Sequence, residues 1–272
     1  MPSGPEIHSV QTKHGEIAIR TNGPERGTPL VLLPRFRATM DDWDPAFIKS
    51  LSRDHQVVRF DNPGVGLSQG SSLNSIKSMA SVAAEVILQV APRHADVLGW
   101  SLGGAVAQQL ALDYPHLLRR MILVGATPGA IAEGPRQQPR VATVLAKQEN
   151  DEQDFLYLFY PETEAAVSCG RTSIRRIANQ PYRSPGVSAL AFMEQVQAFT
   201  RWPGILHRAR ELKLPILVVA GAQDIVAPAY CSFVLSQQVP DAKFIVYPDS
   251  GHASLFQHAE EFVEDATRFL EA

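Results

Sequence analysis

Short runs rich in Val, Ile and Leu alternate along this chain with longer stretches whose apolar residues recur every three or four positions. The first pattern suits strands buried on both faces, the second helices that bury one stripe. Their alternation predicts an α/β fold, a mostly parallel sheet with flanking helices. Six runs read as buried strands: Leu30 to Leu33, Gln56 to Phe60, Ala95 to Gly99, Arg120 to Val124, Ile216 to Ala220 and Lys243 to Tyr247. Ile7 to Thr12 and Glu16 to Thr21, separated around His14-Gly15, add a leading antiparallel hairpin, which makes the sheet eight-stranded. Trp43, Phe47 and Leu51 repeat at helical spacing after Asp41-Asp42, which predicts a helix capped by those acids. A second helix is expected from Leu102 to Tyr114. A terminal one gathers Phe262, Ala266, Phe269 and Leu270 on one face and Glu261, Glu264, Asp265, Arg268 and Glu271 on the others.

One stretch breaks the alternation. From about Thr127 to about Leu212 the chain shows helical patterns interrupted by Gly134-Pro135, Pro161, Pro181, Ser184-Pro185-Gly186 and Trp202-Pro203-Gly204, with no convincing strand. This predicts a helical cap of about four short helices over residues 127–212, inserted into a core made of residues 1–126 and 213–272.

Charge and composition narrow the function classes. A net charge of −3 leaves no broad basic surface, so nucleic acid is a poor partner. The longest apolar runs fall far short of the ~20 residues that a spanning helix needs, so no membrane span is expected. The opening Met1-Pro2-Ser3-Gly4-Pro5-Glu6 has neither the cationic nor the apolar region of a signal peptide, which makes the cytoplasm the expected location. Cys169 and Cys231 stand apart, with no neighbouring His pair, and read as two reduced thiols; no metal or cofactor cluster is expected. Oligomeric state is left open.

The sharpest local signal is Gly99-Trp100-Ser101-Leu102-Gly103, at the junction of a predicted strand and a predicted helix. A serine on such a tight turn needs strained backbone, and its neighbours must be small because other chain segments approach closely. Gly99, Gly103, Gly104 and Ala105 meet that demand. The helix N-terminus also directs N–H groups and a positive dipole at charge developing near the hydroxyl.

With this motif in place, the chain resembles the alpha/beta-hydrolase superfamily, in its serine-nucleophile, capped branch, over nearly its whole length. The family orders its triad Ser, acid, His. Gly221-Ala222-Gln223-Asp224-Ile225-Val226-Ala227-Pro228 resembles the acid turn, and Asp249-Ser250-Gly251-His252 the terminal Gly-His element. The resemblance implies Ser101 as nucleophile, His252 as general base and Asp224 as the acid that orients it. It implies oxyanion donors at the backbone N–H groups of Leu102 and Phe36. The loop carrying Phe36 departs from the family, reading Pro34-Arg35 where His-Gly is usual. Asp61-Asn62-Pro63-Gly64-Val65-Gly66-Leu67-Ser68 resembles another family loop, with Pro63 in an Arg position, and reads as a structural turn.

Candidate substrate contacts are Arg37, Trp100, Phe192 and Trp202. For Arg37, pairing with Asp41, Asp42 or Asp44 is the favoured reading and contact with an anionic substrate group the alternative. The aromatic residues of the cap point to an apolar, partly closed pocket for a small-molecule substrate, although most of them serve packing. The expected function is hydrolysis of a small carboxylic ester or lactone through an acyl-enzyme. The alternatives are a cofactor-free haloperoxidase or perhydrolase, in which peroxide replaces water, and a slow-turnover ligand-binding sensor on the same fold.

Overall fold

In the computed structural model, which describes residues 7–91, 93–147 and 149–272, the strands are β1 (Ile7–Thr12), β2 (Gly15–Asn22), β3 (Leu30–Leu33), β4 (Val57–Phe60), β5 (Ala95–Trp100), β6 (Leu118–Val124), β7 (Ile216–Gly221) and β8 (Ala242–Tyr247). The opening hexapeptide read above for a signal peptide lies outside the described residues. The eight strands form one sheet in the order β1-β2-β4-β3-β5-β6-β7-β8. β1 pairs with β2 and β2 with β4 antiparallel, and every other pairing is parallel. The leading hairpin turns at Lys13-His14, with Gly15 already paired to Thr12 at φ +114°.

Strand alternation divides the side chains between two cores. Val31, Leu33, Val97, Met121, Leu123 and Val218 point to one face. There they meet helices α2 (Ile76–Val90) and α3 (Leu102–Asp113). Leu30, Leu32, Leu98, Ile122, Leu217 and Val219 point to the other, covered by α1 (Pro45–Leu51) and the terminal helix. With both faces buried, each Val, Leu or Ile side chain contributes about 1.5–3 kcal/mol.

The first helix corrects one expectation. Its N-cap is Asp44, which accepts from the Ala46 N–H at 2.8 Å, and Pro45 holds the first helical position. Asp41 is instead buried against Arg20 at 2.8 Å, and Asp42 closes a turn on the Thr39 N–H at 2.8 Å. Trp43 therefore precedes the helix.

Between β6 and β7 the described residues contain no strand. They form α4 (Pro139–Leu145), α5 (Glu152–Phe159), α6 (Glu164–Ala178), α7 (Ala189–Arg201) and a 3₁₀ turn (Leu206–Glu211). After β7 come α8 (Ala229–Gln238), and after β8 the short α9 (Ser254–Gln257) and α10 (Ala259–Glu271). One face of α10 buries Phe262, Ala266 and Leu270, as its pattern predicts, with Phe269 half-buried. Neither cysteine forms a disulfide, and no described helix is long and apolar enough to cross a membrane.

Candidate active site

In the sheet, β3 lies between β4 and β5, so the chain leaves β3 toward one side and resumes at β5 on the other. Loops diverge at such a reversal and leave a crevice at the carboxyl ends of the strands. Ser101 sits at that point, directly after β5, at φ 57° and ψ −116°, a backbone region that few side chains tolerate. Three close approaches hold it there. A Cβ on Gly99 would lie 2.4 Å from the Gly103 carbonyl oxygen, one on Gly103 2.0 Å from the Leu33 carbonyl oxygen, and one on Gly104 2.4 Å from the Ala126 methyl. The Ser101 N–H donates to the Val124 carbonyl at 2.9 Å, tying the turn to β6. Ser101 is the N-cap of α3, yet its hydroxyl makes no capping bond, which leaves it available for chemistry.

Asp224 follows β7 and His252 follows β8. His252 Nδ1 lies 2.8 Å from Asp224 Oδ2, with both residues buried. The other carboxylate oxygen, Oδ1, accepts the N–H groups of Val226 and Ala227, each at 2.8 Å. The two loops are laced together by Gln223 N–H to the Ser250 carbonyl at 2.8 Å. Gly221 lets them meet, since a Cβ there would lie 2.2 Å from the Gly251 carbonyl oxygen. Gly125, at φ +51°, lies against the pair, and a Cβ on it would stand 3.0 Å from His252 Nδ1 and 3.2 Å from Asp224 Oδ2. This glycine directly follows β6, and its role is to leave room for the pair.

The loop after β3 takes a form set by its own sequence. Arg37 adopts φ 55°, and its N–H donates to Gln195 Oε1 on α7 at 2.8 Å. The Phe36 ring packs 5.4 Å from that of Phe192, also on α7. The N–H groups of Phe36 and Leu102 have no hydrogen-bond partner among the described residues, so two donors stand ready at the crevice. The Arg35 guanidinium turns back to the Phe36 carbonyl at 2.8 Å.

Ser101, Leu102, His252, Phe36, Arg37 and Phe192 all line one cavity of about 1210 Å³, walled on the apolar side by Leu158, Phe159, Val196 and Val226. Asp224 stands behind His252. No hydrogen bond joins Ser101 Oγ to the imidazole, a contact that commonly tightens only with substrate present. Arg37 is not paired with the acids expected of it: Asp41 takes Arg20, Asp42 takes Arg183 and Asp44 takes Arg176. Its Nη1 donates instead to the Lys147 carbonyl at 2.6 Å and Asn150 Oδ1 at 3.1 Å, with the cation 4.7 Å over the Phe192 ring.

Two expected substrate contacts are corrected. Trp100 is 2% exposed and does not reach the cavity; its Nε1–H donates to the His252 carbonyl at 2.9 Å, so it braces the histidine from behind. Trp202 faces a separate, smaller depression and donates to Gln109 Oε1 at 3.2 Å. Phe159, one of the cap aromatics read for pocket or packing, does more than either: its carbonyl accepts the Ala253 N–H at 3.1 Å and its ring stands 5.7 Å from that of His252, a support that sequence reasoning missed. No motif marks that role. Among the described residues no group of three His, Cys, Asp or Glu could hold a metal ion.

A serine on a strained strand-to-helix turn, with an acid after a later strand and a histidine after the last, defines a class. The model of the alpha/beta hydrolase fold family matches residues 28–259, and this chain belongs to that family. It is 27% identical over 251 residues to the pimeloyl-(acyl-carrier protein) methyl ester esterase of Nitrosomonas europaea, spanning 91% of this chain and 96% of that one. The enzyme of the same name from Pectobacterium carotovorum is 30% identical over 252 residues, spanning 90% and 95%. Among solved structures, an alpha/beta hydrolase fold protein from Chitinophaga pinensis is similar at a TM-score of 0.90 and 31% identity, over 99% of this chain and 98% of that one.

Proposed function

We propose that the protein hydrolyses a carboxylic ester through an acyl-enzyme on Ser101, with residues 127–212 acting as the cap that walls the substrate cavity. The observation that carries this reading is a serine hydroxyl at φ 57°, unused as a helix cap, opening on the same cavity as a histidine held by Asp224 at 2.8 Å. In this mechanism His252 Nε2 takes the Ser101 proton as Oγ attacks the carbonyl. Asp224 Oδ2 holds the Nδ1 proton and stabilises the imidazolium that forms. The N–H groups of Phe36 and Leu102 receive the oxyanion. The imidazolium then protonates the leaving alcohol, and water attacks the acyl-enzyme with His252 again as base, releasing the acid.

The names of the relatives describe methyl esters of an acyl chain. An alkanoate methyl ester matches both that chemistry and the apolar wall made by Leu158, Val196 and Val226. The cavity, at about 1210 Å³, has room for a chain far longer than acetyl. A fluorophosphonate probe tests the reading, because only an activated serine attacks it readily. The expected result is one labelled peptide containing Ser101, no labelling of Ser101→Ala, and steady turnover of alkanoate methyl esters by the wild type. Labelling at another serine, or acylation without turnover, would overturn it.

A further inference from the structure

We propose that Arg35 recognises a carboxylate on the substrate, so that the ester cleaved at Ser101 carries a second, free acid group. The proposal rests on the esterase reading of Ser101 and names the substrate class for that site. Arg35 is a large cation where the family usually has glycine, and it lines the same cavity as Ser101 and His252. Its guanidinium is wedged among three rings, with the central carbon 5.5 Å from the centroid of Trp100, 5.5 Å from Phe155 and 5.1 Å from Phe159. Ring faces attract a cation but accept none of its in-plane N–H bonds.

Those bonds are only partly met. Nη1 donates to the Phe36 carbonyl at 2.8 Å and lies 3.5 Å from that of Arg37, whereas Nε is buried with no partner. No carboxylate among the described residues lies within ion-pair distance of Arg35.

The charges around the cavity point the same way. Three arginines line it, Arg35, Arg37 and Arg183, and two acids, Asp42 and Glu149. Asp42 pairs with Arg183 at 2.9 Å, and Glu149 acts electrostatically on Arg37, which also holds the Lys147 carbonyl. Asp42 also reaches Arg35 through space, but its direct contacts are to Arg183 and Thr39. One positive charge is left over, on a half-buried side chain whose Nε is cut off from solvent. Burial accordingly pushes the Arg35 pKa down, although a guanidinium stays charged at neutral pH. A partly buried cation with no carboxylate in contact is costly, and a monoanion arriving with the substrate offsets that cost. A carboxylate is the smallest organic monoanion, and its two oxygens match the edge of a guanidinium. Because three rings fix Arg35, the preference should peak at one spacing between the carboxylate and the scissile carbonyl.

The competing role is a brace, in which Arg35 only holds the Phe36 carbonyl and so steadies the oxyanion loop. A ratio separates the two. kcat/KM is measured for monomethyl esters of dicarboxylic acids of increasing length, each against the methyl ester of the monoacid of equal length. A second arm sets acetate esters of hydroxy acids against those of the matching neutral alcohols, which covers a carboxylate on the leaving group. The wild type should favour the acid-bearing ester in one arm by about 10- to 100-fold at its best length, the range for a hydrogen-bonded charge. Arg35→Met should bring that ratio to about one, whatever happens to overall rate. No preference in either arm of the wild type, or a preference that survives Arg35→Met, would overturn the proposal, as would a uniform loss on acidic and neutral esters alike. The wild-type ratios stand even if the variant fails to fold. If no ester in any series turns over, the esterase reading fails separately. Calorimetric binding of the half-esters to Ser101→Ala, against their neutral counterparts, then decides Arg35 by itself.

Discussion

Replacing Asp224 by Asn puts the reasoning about the histidine under the greatest strain, because the surrounding bonds dictate how the amide must lie. Asp224 Oδ1 accepts two backbone N–H groups, from Val226 and Ala227, and Oδ2 faces His252 Nδ1, all at 2.8 Å. Asparagine has one oxygen to offer. Turned toward the two N–H groups, it presents its NH₂ to Nδ1, which must then accept, and the ring proton moves to Nε2. An Nε2–H tautomer cannot take the Ser101 proton. The flipped amide keeps the productive tautomer but leaves two buried N–H groups unpaired, at about 1–3 kcal/mol each. The competent arrangement then falls to roughly one molecule in 30 or fewer. The drop in kcat for Asp224→Asn should therefore be at least about 30-fold and should approach the ~10⁴-fold seen when the same change is made in a serine protease. Thermal unfolding should stay near that of the wild type, since both backbone bonds are kept. Steady-state kcat on an alkanoate methyl ester, paired with nitrogen NMR of the imidazole, gives rate and tautomer together. A kcat within about threefold of the wild type would refute the assignment of Asp224 as the orienting acid.

Two further outcomes follow from the same geometry. Phe36→Pro removes a candidate oxyanion donor that Phe36→Ala retains, so at matched thermal stability the proline variant should be slower by about 10²–10³ in kcat; equal values would place the second donor elsewhere. Burial raises the Asp61 pKa from 3.8 to about 6 against the opposing bonds from Leu67, Met40 and Ser184. The folded state therefore binds this proton more tightly than the unfolded chain. That contribution, on the order of 3 kcal/mol, is complete below about pH 4 and is lost as pH rises through about 6. Urea unfolding from pH 4 to 8 should show the slope in the wild type and not in Asp61→Asn, which starts lower because its amide nitrogen meets a backbone N–H. Parallel slopes in the two proteins would show that Asp61 does not carry the effect.

The strands were legible because a strand buried on both faces leaves a contiguous apolar run, and runs such as Ile216 to Ala220 have no other reading at that length. The serine turn and the late acid and histidine were legible because each motif abuts a strand end. Long-range partnership was not. Asp41 looks like a helix cap beside Trp43, yet Arg20 claims it from a strand twenty-one residues earlier, and no local pattern reports that. Trp100 and Trp202 were plausible substrate contacts by residue type alone. Which side of a strand or helix end an indole leaves from depends on packing, and here one braces His252 while the other meets Gln109. The room left by Gly125 is likewise invisible without the histidine beside it.

β6 and β7 are parallel neighbours, paired from Met121 with Ile216 to Val124 with Val219, so everything between them is one crossover that leaves at the carboxyl end of β6 and re-enters at the amino end of β7. To the core, that whole segment is a single loop, and a loop can double in length for only about 0.6 kcal/mol of closure entropy. An evolving or engineered lineage could thus exchange the segment wholesale, and with it the reach of the cavity, while Ser101, Asp224 and His252 kept their strand ends. One restraint travels with the exchange. Because Ala253, next to the histidine, donates to the Phe159 carbonyl, any replacement must bring an acceptor to that spot or leave the donor unpaired beside the imidazole. Grafts between relatives of this fold should succeed or fail on that one carbonyl more than on their length.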